Sequence, residues 1–222
     1  MTMLIADKFT YSRKIYVTSF YRILSYIINA YALLIKNKEP LENNENSIRD
    51  ILVEKYLNNH VKREQLGIEN VIFNREVSEN SGFVDIKVQT AIALNNPDAY
   101  YIFECKRLDG SNDLNKKYIQ EGILRFTLGK YSAYYSLNGM LGFEVKKIDT
   151  PANMDKINRL AISEFKETNI IKGLTGIHIT GDFKYSYISM HKTTSSKTIE
   201  LYHLMLDISD AISMNRAQKL KG

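Results

Sequence analysis

The chain has 222 residues, enough to bury one full hydrophobic core, and its 44% hydrophobic and 25% charged residues exclude a disordered or collagen-like polymer. Its single cysteine, Cys105, excludes an intrachain disulfide and a cysteine-rich zinc site, and it suits a reducing cytoplasm. The net charge of +5 favours polyanionic partners without demanding them.

In chain order, the first 36 residues read as one long helix after a short lead, rich in tyrosine and isoleucine. The most apolar window, residues 17–35, approaches membrane-spanning length, but Arg22, Ser25 and Asn29 interrupt it. The expectation is a helix of the core or of a homodimer surface, with no membrane span and no signal peptide. "NKEPLENNEN" (37–46) is the best linker candidate, polar and rich in asparagines able to cap a following helix. It divides the chain into an N-terminal helical extension, residues 1–40, and a main domain, residues 41–222.

From Glu45 to about Leu66 the spacing is helical, with Ile48, Ile51, Leu52 and Tyr56 on one face. Three strand-like runs follow, "VIFNREV" (71–77), "FVDIKVQ" (83–89) and "YYIFECKR" (100–107), separated by turns with Gly82, Asn95, Asn96 and Pro97. A helix is predicted over about 115–136, then a turn and strand at 138–147 and a helix at 153–167. "GIHIT", "YSYISMH" and "IELYHLMLDI" are further strands, before a basic tail. This order predicts an α/β fold, a central mixed sheet with helices on both faces.

The third run raises a chemical question. Side chains alternate across a strand, so Glu104 and Lys106 share a face with Ile102, opposite Tyr101, Phe103 and Cys105. In the run before it, Phe83, Asp85 and Lys87 share one face and Val84, Ile86 and Val88 the other. If these strands are neighbours, Asp85 lies beside Glu104. Two carboxylates that close repel unless a cation or proton sits between them. A divalent metal resolves the conflict, and hard oxygen ligands suit magnesium. The bland alternative is an edge strand carrying cross-strand ion pairs. Glu45, in the first turn of its helix, can point towards the sheet, or it stabilises the helix dipole and pairs with Arg49.

"GFVDIKV" (82–88) followed by "YIFECKRL" (101–108) resembles the D…(D/E)-x-K signature of the PD-(D/E)xK phosphodiesterase superfamily, which includes many restriction endonucleases. The helix opening "ENSIRD" (45–50) is similar to that superfamily's glutamate-bearing first helix. "YIQEGILRF" (118–126) is similar to the helix after its catalytic strand. The resemblance covers roughly residues 41–147, and Val84 stands where the name-giving proline would be. It implies a restriction-endonuclease-like core and a Mg2+-dependent deoxyribonuclease, with Mn2+ as a substitute. Asp85 and Glu104 would bind the metal, with the backbone carbonyl of Cys105 as a further ligand and Glu45 assisting. Lys106 would position the attacking water, and Gln120 would fill an auxiliary role. Duplex DNA is the implied partner, in a bacterial restriction or phage-defence setting. The rivals are an exonuclease or repair nuclease, and a non-catalytic nucleic-acid-binding module on the same fold.

Other residues carry less. Arg125 can meet phosphates or pair with Glu121 in its own helix. Cys105 reads as an inert core thiol. His60, His178, His191 and His203 show no ligand spacing, so a histidine metal site is not expected.

Overall fold

The computed structural model describes residues 3–79, 82–91, 96, 98–131 and 136–213, with side chains from residue 13 onward except that of Glu79. Asn95, Pro97, residues 132–135 and the basic tail lie outside these residues, and the helix predicted over 115–136 already ends at Thr127.

The first helix, α1 (Met3–Lys36), is followed by α2 (Glu45–Asp50), a π-helical turn at Ile51–Leu57 and α3 (His60–Leu66). The hairpin β1 (Val71–Glu79) and β2 (Gly82–Thr90) comes next, then β3 (Tyr100–Leu108). The crossover α4 (Asn112–Tyr118), a second π-helical turn at Ile119–Ile123 and α5 (Leu124–Thr127) leads to β4 (Leu137–Glu144). α6 (Thr150–Glu164) precedes β5 (Ile170–Ile177), β6 (Ser186–Lys192) and β7 (Thr198–Asp207). The strands form one seven-stranded sheet of order β1-β2-β3-β4-β7-β6-β5. Its centre, β3-β4-β7, is parallel, and antiparallel pairs flank it on both sides.

Two apolar layers cover the two faces, as an α/β sheet buried on both sides requires. On one face Tyr16, Phe20, Ile23, Leu24 and Ile27 of α1 pack with Ile48, Leu52 and Val53 over Tyr101, Phe103, Leu141 and Leu204. α1 is long and apolar enough to cross a membrane by length and composition alone, yet this apolar stripe is spent on the sheet, and Tyr16 and Tyr101 stack at 4.2 Å. On the other face Tyr118, Ile119, Ile123 and Phe126 pack with Met154 and Ile157 over Ile102, Met140, Leu201 and Met205.

Several expectations are adjusted. The helical stretch predicted over 45–66 breaks at Asn58 and Asn59, where the Asn59 side chain caps α3 by accepting from the Lys62 N–H at 3.1 Å. The π-helical turn widens the buried face to include Val53 and Leu57. Asn138 and Gly139 belong to β4 and not to a turn: the Phe103 ring lies where a β-carbon on Gly139 would stand, so only glycine fits beneath it. The fifth strand is Ile170–Ile177 and not "GIHIT", because it is the earlier stretch that pairs with β6.

Candidate active site

The site is built where β2 leaves β3. The two strands pair antiparallel from Gln89 opposite Tyr100 to Ile86 opposite Phe103, and the ladder ends there. Continuing that register sets Asp85 against Glu104, as the strand alternation predicts. The expected face of Val84, however, is wrong. Ile86 and Val88 pack under α1, whereas Val84 packs in the opposite layer. The chain turns over at Asp85, and on the neighbouring strand Glu76 takes a left-handed conformation with φ of 50° between the pairs Arg75–Ile86 and Val77–Val84. Such a backbone costs about 1–3 kcal/mol in a non-glycine residue.

The distortion leaves N–H groups of β3 without a strand partner, and carboxylates take them. Asp85 Oδ2 accepts from the Cys105 N–H at 2.7 Å, and Glu45 Oε2 accepts from the Arg107 N–H at 2.9 Å. Glu45 reaches this edge from the first residue of α2, which the Asn44 side chain caps by accepting from the Ser47 N–H at 3.0 Å. Glu45 therefore points to the sheet and does not pair with Arg49.

Lys106 completes the arrangement. Its ammonium donates to the Cys105 carbonyl at 2.7 Å and to Glu45 Oε1 at 2.9 Å. Glu104 Oε1 lies 3.0 Å from it and Asp85 Oδ2 3.9 Å. Four of the five predicted site residues, and the predicted carbonyl, thus converge on one point. Gln120 does not join them. It is exposed on the π-helical turn, and the helical residues that reach the cleft are Glu121 and Arg125. The widened turn changes which residues face the sheet, and Gly122 lets it sit close, against Met140 and the stem of Lys106.

Glu104 is fully buried. Its Oε1 also accepts from Arg125 Nη1 at 2.8 Å, and its Oε2 accepts from the Tyr131 hydroxyl at 2.8 Å. Burial, and then the nearby Asp85 charge, push its carboxyl up to about 7 against the pull of Lys106 and Arg125. Burial draws the Lys106 ammonium down, but Glu104, Glu45 and Asp85 outweigh it and hold its pKa above the ordinary lysine range. Burial and the same carboxylates raise the Cys105 thiol, which stays protonated and inert in the core.

Residues that no pattern announced support this cluster. Arg49 is 2% exposed and donates to Asp50 Oδ1 at 2.9 Å, Glu76 Oε1 at 2.8 Å and Asp85 Oδ1 at 3.2 Å. Tyr131 accepts from Arg125 at 2.7 Å. Tyr131 follows its helix with no distinguishing spacing, and Arg49 is one charge among several in the polar helix ENSIRD.

A cleft of about 490 Å³ opens over these groups. Glu45, Glu76, Asp85 and Glu121 line it with Arg49, Lys106 and Arg125, and Glu104 lies beneath. Five carboxylates against three cations leave it net negative even with Glu104 partly protonated near pH 7. The donor set is one of hard oxygens around a cation, the chemistry that suits Mg2+. Among the described residues, no three Asp, Glu, His or Cys side chains are spaced to hold a metal ion.

The buried histidines take no part. Tyr118, His203, Ser189 and His191 form a chain of 2.7–2.8 Å hydrogen bonds ending on the Thr168 carbonyl. Burial pushes His191 down to about 4 and His203 to about 3, so both are neutral.

No family model, curated protein or solved structure matches this chain.

Proposed function

We propose that this protein is a Mg2+-dependent deoxyribonuclease with a restriction-endonuclease-like core, acting on duplex DNA in the cytoplasm as part of restriction or phage defence. The observation that carries this reading is the convergence of Glu45, Asp85, Glu104 and the Cys105 carbonyl on a single cationic point. Ion pairs that merely decorate an edge strand have no physical reason to bury Glu104 completely and to aim a backbone carbonyl at the same place.

The residues fit a divalent ion by the hardness and number of their oxygens. Glu104, Asp85 and the Cys105 carbonyl would hold it, with Glu45 on its outer side. When bound, such an ion supplies Lewis-acid charge to a phosphodiester and its attacking water. The chain does the rest. Arg49 and the Cys105 N–H hold the two oxygens of Asp85, while Arg125 and Tyr131 fix Glu104. Lys106, once free of the carboxylates, offsets negative charge as it develops on phosphorus. The cleft's negative balance makes a divalent cation a condition for admitting a polyanion.

The test is incubation of supercoiled plasmid and genomic DNA with Mg2+ or Mn2+, comparing wild type with Glu104→Ala. Cutting by the wild type alone, with nicked and linear products, is expected. Mononucleotide products would instead mark an exonuclease. DNA binding with no cutting by either protein would replace the proposal with a non-catalytic binding module.

A further inference from the structure

Two cations touch Glu104 Oε1, and they are placed differently. Arg125 meets that one site oxygen and otherwise spends the same nitrogen on Tyr131. The Lys106 ammonium touches oxygens of several residues at once. An ammonium has three N–H donors, and the Cys105 carbonyl, Glu45 and Glu104 lie at 2.7, 2.9 and 3.0 Å to receive them. Asp85 at 3.9 Å adds attraction without a hydrogen bond. The side chain is 7% exposed, and it borders the cleft. These are the oxygens that a hard divalent ion would require, and two cations at one point repel too strongly to share them.

We propose that Lys106 is a built-in counter-cation that competes with a divalent metal for the Glu45, Asp85, Glu104 and Cys105 oxygens, so that metal entry drives the ammonium into the cleft. This rests on the metal-site part of the function proposed above and not on cleavage. The flexible four-carbon stem permits the swing, and the cleft is where it leads. A phosphate there offers the displaced ammonium a new partner. Metal and polyanion therefore favour each other's binding, and by linkage the effect is reciprocal. Lysine thereby keeps the buried carboxylates neutralised until both ligands are present.

The experiment is calorimetric titration of the full chain with Ca2+ alone, for wild type, Lys106→Met and Arg125→Met. Both variants remove one positive charge that touches Glu104. Lys106→Met is expected to bind Ca2+ at least about tenfold more tightly than wild type, the scale of coupling between close charges, and to gain clearly more than Arg125→Met, whose guanidinium meets one site oxygen only. Equal gains in both variants would show a general Coulomb effect on Glu104 and overturn the proposal, as would a Lys106→Met protein that binds no more tightly than wild type. Should Lys106→Met unfold for want of a counter-charge, circular dichroism with added Ca2+ decides: recovery of the fold supports the exchange, and no recovery refutes it. Cleavage is read separately. Tighter Ca2+ binding without cleavage of any DNA sinks the nuclease and leaves the exchange standing, whereas cleavage with unchanged affinity does the reverse.

Discussion

Individual residues in this site are held by charge, and their removal has calculable consequences. Arg49 is buried among Asp50, Glu76 and Asp85. Arg49→Met would leave those carboxylates without a counter-charge and is expected to cost about 3 kcal/mol, read as a lowered urea midpoint. Arg49→Lys would not rescue it, because a compact ammonium cannot meet three carboxylates as the planar fork does. Glu144 tells the opposite story. It is 1% exposed, its Oε1 has no hydrogen-bond partner among the described residues, and burial pushes its carboxyl up to about 7. A raised folded-state pKa favours folding below the unfolded value and loses that advantage as pH rises through about 7. Glu144→Gln is therefore expected to be more stable than wild type by about 2 kcal/mol above pH 7. The gain should shrink as pH falls through about 7 and vanish below the ordinary glutamate value of 4.5, which denaturant titrations on either side of that window would show. At this scale the sequence exposed Asp85, Glu104 and Lys106, because charges on apolar strands stand out, and Glu45 through its place in the first turn of a helix. It hid Arg49 as a supporter of Asp85, and it hid Tyr131, because their partners are distant along the chain. Gln120 was misplaced by a π-helical turn that has no compositional signature.

Elements were legible where their periodicity is clean. β1, β2 and β3 fall within two residues of the expected runs, since alternating β-branched and aromatic residues bounded by polar turns have few other solutions. Two departures have local causes. A left-handed Glu76 accompanies the turnover of β2, which no pattern of apolar residues announces. Asn138 and Gly139 imitate a turn, yet the crossover buries them in β4, where Phe103 needs the space above Gly139. Gly139→Ala would press a methyl into that ring at the β3–β4 junction, and a loss of about 2 kcal/mol is expected. Thermal unfolding would measure it. A loss below a few tenths of a kcal/mol would mean that the ring moves freely.

At the scale of the molecule, charge separates what composition averages. The chain carries a net charge of +5, while the cleft is net negative. Duplex DNA is therefore expected to bind at least about tenfold more weakly in EDTA than with Ca2+, and the Ca2+-dependent affinity should fall steeply with salt. Fluorescence anisotropy of a labelled duplex would follow both. The general architecture was readable from the order of elements: a mixed sheet clad on both faces by helices. The strand order was not, since it depends on which edges meet in space. Nor was the role of α1, whose described side chains pack into the core of the same sheet. The proposed function stands on Glu45, Asp85, Glu104 and the Cys105 carbonyl forming one divalent-metal site. Anomalous diffraction from crystals soaked in Mn2+ addresses it most directly. A single peak bounded by those oxygens is expected, with the Lys106 ammonium displaced into the cleft. A protein that shows no peak there, its ammonium still seated among the four oxygens, would contradict it.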